Sequence, residues 1–267
     1  MSINRISAIV LRQYYLMRGS PARIPPLFIW VGIDIVLWGF ITKYLNTVAS
    51  AGFNFIPALL GAVLLWDFFV RVMHGVTMAF FEDVWSRNFL NFFASPLTIG
   101  EYLSGLVITS IGTSLLGLLV MLIVAMGAFG LPFFSYGLAL IPFLLVLFLF
   151  GIALGIIGSG IVLRLGPAAE WFIWPIPAVI SPFAGVFYPI SVLPHWMQWL
   201  ARLLPPSYVF DGLRAIVHGE SLRYSALAGG AILAAAYILL AYWFFTRVYR
   251  QAVRTGLIAR YSAESLS

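Results

Sequence analysis

Hydrophobic residues along this chain gather in long stretches instead of alternating with polar ones. Six stretches reach the roughly 20 mainly apolar residues that a helix needs to cross a bilayer, at 26–45, 55–80, 102–129, 136–163, 171–190 and 225–246. The period-two pattern of a transmembrane barrel is absent. The pattern therefore predicts an all-α integral membrane fold with six transmembrane helices. Two further segments read as lying along the membrane. Within 1–25, Ile3, Ile6, Val10, Tyr14 and Met17 follow helical spacing, while Arg5 and Arg12 sit two turns apart on another face. That pattern predicts an interfacial helix whose arginines reach lipid phosphates. In 194–204, Pro194 suits a first helical turn. Trp196, Trp199, Leu200 and Leu203 form an apolar stripe, and Pro205-Pro206 ends it.

Composition supports this reading. Hydrophobic residues make up 62% of the 267 and charged residues only 9%, against about 25% charged in soluble domains. A single membrane domain over 1–267 is expected. The net charge of +6 comes mostly from arginines beside the apolar runs, so lipid and loop asymmetry explain it and no nucleic-acid partner is expected. Arg5, Arg12, Arg18 and Arg23 precede the first stretch and also argue against a signal peptide; Arg247, Arg250, Arg254 and Arg260 follow the sixth. Arg87 and Arg164 lie in the links 81–101 and 164–170, whereas 46–54 and 130–135 hold no Lys or Arg. Both termini are thus expected in the cytoplasm. The segment 191–224 is expected outside, although it carries Arg202, Arg214 and Arg223. There is no cysteine, which removes disulfides and thiolate chemistry.

Ionisable residues inside spans each cost about 2.5–3.5 kcal/mol at the bilayer centre and mark places of interest. The first stretch holds Asp34; the second holds Asp67, Arg71 and His74. Asp67 and Arg71 stand at the spacing of a helical ion pair, which fits either a polar pathway lining or a pair that fixes helix register. Gly151, Gly155 and Ser159 form a small-residue stripe for close helix packing. The fifth stretch contains Pro175, Pro177 and Pro182, with Pro189 at its end, so a bent span facing protein or a cavity is expected. Trp171, Trp174, Phe183, Phe187 and Tyr188 line that bend, as a transport path or as interfacial anchors. A P-loop needs Gly-Lys-Ser/Thr, but the single lysine, Lys43, lies in FITKYL. His74, His195 and His218 lack zinc spacing, and no Gly-x-Ser-x-Gly elbow occurs. An intramembrane enzyme with dispersed residues and a non-transporting scaffold stay open as alternatives.

Two segments carry a family resemblance. FFEDVWSRNFLNFFASPLTIGEYLSG, residues 80–105, resembles the link between the second and third spans of ABC-2 type permeases, with Glu82-Asp83, Ser95-Pro96 and Glu101. VLPHWMQWLARLLPPSYVFDGLRAIVHGE, residues 192–220, resembles that family's stretch between its fifth and sixth spans, with Leu-Pro-x-Trp, Pro before Ser207-Tyr208, and Asp211-Gly-Leu-Arg214. The resemblance implies the membrane subunit of an ATP-driven exporter in a bacterial inner membrane, paired with a second copy and with a cytoplasmic ABC ATPase. ATP and magnesium would bind that ATPase, leaving no cofactor in this chain. It implies a coupling helix over 82–95, with Glu82, Asp83, Arg87 and Phe92 as contact residues and Val84, Phe89 and Phe93 packing. It also implies short re-entrant helices over 191–224, where Asp211 and Arg214 share a helix face and a partly desolvated pair is expected. Asp34, Asp67, Trp174, Phe183, Phe187 and Tyr188 are the candidate path lining. The cargo expected is amphipathic: a lipid, a lipid-linked glycan or polysaccharide, or a drug.

Overall fold

In a medium without water a chain must close its backbone hydrogen bonds within its own segments. Every regular element among the described residues is accordingly helical. The computed structural model describes residues 1–20, 25–48, 55–86, 92, 95–221 and 223–256. The helices are α1 (Ile3–Gly19), α2 (Pro25–Val48), α3 (Gly61–Trp85), α4 (Ile99–Phe129), α5 (Leu140–Leu165), α6 (Ile176–Ala184), α7 (His195–Arg202), α8 (Pro205–Val217) and α9 (Tyr224–Arg254). A π-helical turn, Ile56–Leu60, leads into α3, and a 3-10 segment, Phe133–Ala139, leads into α5.

Among the described residues four helices are long and apolar enough to cross a bilayer: Ile56–Trp85, Ile99–Phe129, Phe133–Leu165 and Tyr224–Arg254. The protein is a multi-pass membrane protein. Local chemistry sets the ends of these helices. Thr98 caps α4 in a reciprocal box: its Oγ1 accepts from the Glu101 N–H at 3.4 Å, and the Glu101 carboxylate accepts from the Thr98 N–H at 2.9 Å. Gly130 ends α4 at φ +65°, where a left-handed cap favours glycine.

α9 packs along α5, α5 along α3, and α3 along α4; α1 and α2 both lie on α4. The small-residue stripe on α5 is what allows the α3 contact. A Cβ at Gly155 would lie 2.8 Å from Val76 Cβ and 2.9 Å from the Met73 carbonyl, and one at Gly151 would lie 2.9 Å from Val72 Cγ1. Lipid tails provide no hydrophobic drive between helices, so close backbone approach of this kind carries the association. A column of rings joins three helices: Phe69 stacks on Phe150 at 5.5 Å, and Phe150 meets Tyr237 edge-on at 5.0 Å.

The stretch 171–190 departs from one span. It comprises a 3-10 segment at Pro167–Phe172, the nine-residue α6, a left-handed Gly185 at φ +66°, and a 3-10 turn at Ile190–Val192. Pro175, Pro177 and Pro182 withhold the donors that a continuous helix would use. At 1.5 Å per residue α6 is roughly 14 Å long, about half of a hydrocarbon core. The expected coupling helix over 82–95 also differs at its start. Glu82, Asp83 and Val84 belong to the last turn of α3. Arg87, Phe89 and Phe93 lie outside the described residues.

Candidate functional site

Two groups of polar and aromatic side chains stand out, one at an end of the bundle and one midway along it. The first surrounds the beginning and end of the 86–98 link. Asp83, in the last turn of α3, is fully buried, and Arg12 of α1 forms an ion pair with it. Tyr102, also fully buried near the start of α4, donates its hydroxyl to Asp83 Oδ2 at 2.7 Å. The Arg12 guanidinium also lies 4.7 Å from the centre of the Phe92 ring, and Phe92 packs beside Tyr102 at 5.9 Å. Two turns earlier on α1, Arg5 reaches Glu101 Oε2 at 3.4 Å and donates to the Pro96 carbonyl. The Ser2 N–H donates to Glu101 Oε1 at 2.6 Å.

The expectation that Arg5 and Arg12 reach lipid phosphates is therefore corrected for Arg12, which turns inward; Arg5 is drawn towards Glu101 and the Pro96 carbonyl but keeps 42% of its side chain exposed. Two acids beneath α1 attract them, and the burial of Asp83 strengthens the attraction to Arg12. The face of α1 turned outward carries Ile3, Leu11, Tyr14 and Tyr15 instead. Close seating of α1 depends on Gly105, where a Cβ would lie 2.6 Å from the Ile9 side chain. Of the four residues expected to meet an ATPase, Asp83 has its carboxylate engaged inside the protein. Glu82 and Phe92 are half-buried.

The second group lies where α2, α3 and the 166–190 segment meet. Asp34 is exposed on α2, between Trp30 and Trp38. Trp38 stacks on Phe187 with centroids 4.8 Å apart and planes 12° from parallel. Across the boundary on α3, Asp67 interacts electrostatically with both Asp34 and Arg71. The Arg71 guanidinium lies in the notch left by Gly117 of α4. His74, one turn on, meets the Trp174 ring at 4.7 Å. Trp174 donates its indole N–H to Glu170 Oε1 at 3.2 Å. Phe183 and Tyr188 are half-buried, and the Tyr188 hydroxyl donates to the Pro182 carbonyl at 2.9 Å, satisfying an acceptor at the end of α6. Buried Asp67 Oδ2 and His74 Nε2 form no hydrogen bond, a condition that is costly unless water or a ligand reaches them.

On α8 the Asp211–Arg214 ion pair closes at 2.6 Å. The Asp211 side chain is 52% exposed, so the expected desolvation holds for Arg214 alone. Arg214 also donates to the Gly185 carbonyl at 2.5 Å, fastening α8 to the break that follows α6. That second contact was not visible in the sequence, nor were Arg12 and Tyr102 as partners of Asp83. The one available signal was the matched spacing: two arginines two turns apart on α1, and two acids bracketing the link. Among the described residues no group of acids and histidines gathers in a way that could hold a metal.

A bundle of long apolar helices with polar side chains between them is the architecture of a multi-pass membrane protein. The chain belongs to the ABC-2 type transporter family, whose profile matches residues 6–218. Permeases of that family are non-catalytic membrane subunits, and they pair with ABC ATPase subunits that carry out ATP hydrolysis. The chain is also similar to nodulation protein J of Rhizobium meliloti (strain 1021), with 31% identity over 94 residues. That match covers 34% of this chain and 35% of the relative, so it spans about a third of the relative's length.

Proposed function

We propose that this chain is one of two identical membrane subunits of an ATP-driven exporter, and that the face bearing Asp34, Trp38, Phe187 and Trp174 looks onto the path between the copies. The observation that carries this reading is the exposure of Asp34. A carboxylate turned towards hydrocarbon would cost about 2.5–3.5 kcal/mol at mid-bilayer. A second copy, or a watered path beside it, removes that cost. The neighbouring rings offer broad, weakly directional contact, and Asp67 adds polarity nearby. This combination suits an amphipathic cargo such as a lipid, a lipid-linked glycan or a drug. In this reading α2 and the broken 167–192 stretch supply two passes beyond the four long helices. Both termini face the cytoplasm of a bacterial inner membrane, and the segment around Glu82 and Phe92 meets the ATPase.

The absence of cysteine makes the test direct. Trp30→Cys and Leu37→Cys flank Asp34 one turn away on either side; Ile232→Cys and Leu239→Cys lie on the exposed face of α9. A short bismaleimide should join two copies through the first pair and not through the second. Cross-linking through α9 alone would overturn the assignment of the path face.

A further inference from the structure

At the end of the bundle where α5 and α9 both terminate, four arginines are exposed: Arg164 in the last turn of α5, and Arg247, Arg250 and Arg254 along α9. Their positions on α9 follow i, i+3, i+7, which sets them on one face. Among the described residues none of the four forms an ion pair. Next to Arg164 a groove of about 150 Å³ runs between the two helices, lined by Leu163, Arg164, Val248, Gln251, Ala252 and Thr255; Arg247 and Arg254 stand one turn before and after Gln251, at its rim, and Arg250 lies further round α9. Its floor is thus apolar, with a cation and two polar side chains at its mouth. Just before this cluster, Trp243 is exposed, and its ring lies under the Arg247 guanidinium at 4.8 Å.

Helix length gives the depth of this feature. The 31 residues of α9 extend roughly 46 Å, while a hydrocarbon core is about 30 Å thick. α9 is thus long enough for its last turns to stand at headgroup level, and an exposed tryptophan with a stacked arginine is what that level favours. Like charges gathered without acids repel one another, and an anion held among them relieves the repulsion.

We propose that this groove is a binding site for an anionic phospholipid, its phosphate held by Arg164 with Arg247 and Arg254 from the rim, and the top of an acyl chain lying against Leu163, Val248 and Ala252. Basic pockets between membrane helices select anionic headgroups by this chemistry. The site is remote from the Asp34 face and does not depend on the reading given to that face.

The test uses the whole purified protein in phosphatidylcholine vesicles that contain a minor fraction of bromine-labelled lipid. Trp243 fluorescence is taken as the difference between the wild type and Trp243→Phe. Brominated phosphatidylglycerol should quench this signal more strongly than brominated phosphatidylcholine at the same mole fraction. Arg164→Gln and Arg247→Gln should each reduce the preference by up to about fivefold, the factor equivalent to ~1 kcal/mol per near-surface arginine. The combined replacement of all four arginines should abolish it. Arg202→Gln is the control, because Arg202 lies over Trp199 at 5.5 Å outside the cluster; it should leave the preference intact. Equal quenching by the two lipids in the wild type overturns the proposal. So does full competition by millimolar inorganic phosphate, which would make the site one for soluble anions. Loss of ATPase copurification in the Arg164→Gln or Arg247→Gln variant, with an unchanged lipid preference, would instead assign the surface to a protein contact.

Discussion

Asp83 and Glu82 are neighbours in sequence and both acidic, yet their environments differ. Asp83 is fully buried and held by Arg12 and Tyr102, whereas Glu82 is only partly covered. Removing one partner of a buried ion pair leaves the other charge without compensation, at about 3–5 kcal/mol. Asp83→Ala and Arg12→Ala should each lower the midpoint of thermal unfolding in detergent by that equivalent. The double replacement Arg12→Met/Asp83→Leu removes both charges while keeping bulk, and should recover most of the loss. Glu220→Ala, at an exposed position, should move the midpoint little. Similar midpoints for Asp83→Ala and Glu220→Ala would show that the buried pair contributes nothing. On α8, Arg214 holds both Asp211 and the Gly185 carbonyl, while Asp211 is half-exposed. An exposed pair is worth about 0.2–1 kcal/mol. Arg214→Ala should therefore destabilise more than Asp211→Ala, and Asp211→Ala slightly more than Glu220→Ala, when the three are compared by the same unfolding measurement.

Among the elements, the long helices were legible because apolar runs, caps and small-residue stripes are local signals. Gly151 with Gly155 announces a tight face on α5; the Thr98–Glu101 cap, also a local signal, starts α4 three residues before the expected 102. What the sequence could not supply is pairing between distant elements. Nothing near Arg12 indicates that its partner lies 71 positions on, and amphipathic spacing alone left the arginines of α1 facing lipid. The proline-rich stretch shows the same limit. Its prolines announce a break, but the lengths of the pieces depend on Gly185, on Tyr188 capping Pro182, and on the Arg214 contact from α8. The α3–α5 contact yields a prediction at this scale. A leucine at position 155 must push against the Met73 carbonyl, which belongs to backbone and cannot rotate away. Overpacking of this sort costs typically 1–3 kcal/mol and more where backbone resists. Gly155→Leu should give a protein that aggregates on extraction, while Gly229→Leu on α9, with no atom within 4 Å of its Cβ position, should extract as the wild type does. Equal extraction of the two would show that the stripe is not an obligatory contact.

For the whole molecule the question is how one polar face fits into a lipid environment. Asp34 is exposed, and Asp67 and His74 each keep a buried polar atom without a hydrogen bond. In a bilayer this arrangement persists only if protein or water reaches the face in the working assembly. In the two-copy reading the gap between subunits supplies both, and the aromatic side chains around it become the surface over which cargo moves. Trp174 and Phe187 then have distinct anchors: Trp174 is held by Glu170 and His74, and Phe187 is stacked on Trp38. Both rings are partly exposed, Trp174 at 43% and Phe187 at 40%, so their replacement should spare the fold and act on passage. In the protein reconstituted with its ATPase, Trp174→Ala and Phe187→Ala should lower cargo transport or change the preferred cargo, while assembly and basal ATP hydrolysis persist. Assembly is followed by copurification and hydrolysis by phosphate release. Transport at the wild-type rate in both variants would mean that these rings serve as interfacial anchors, and the path would then have to run along a surface other than the one that Asp34 marks.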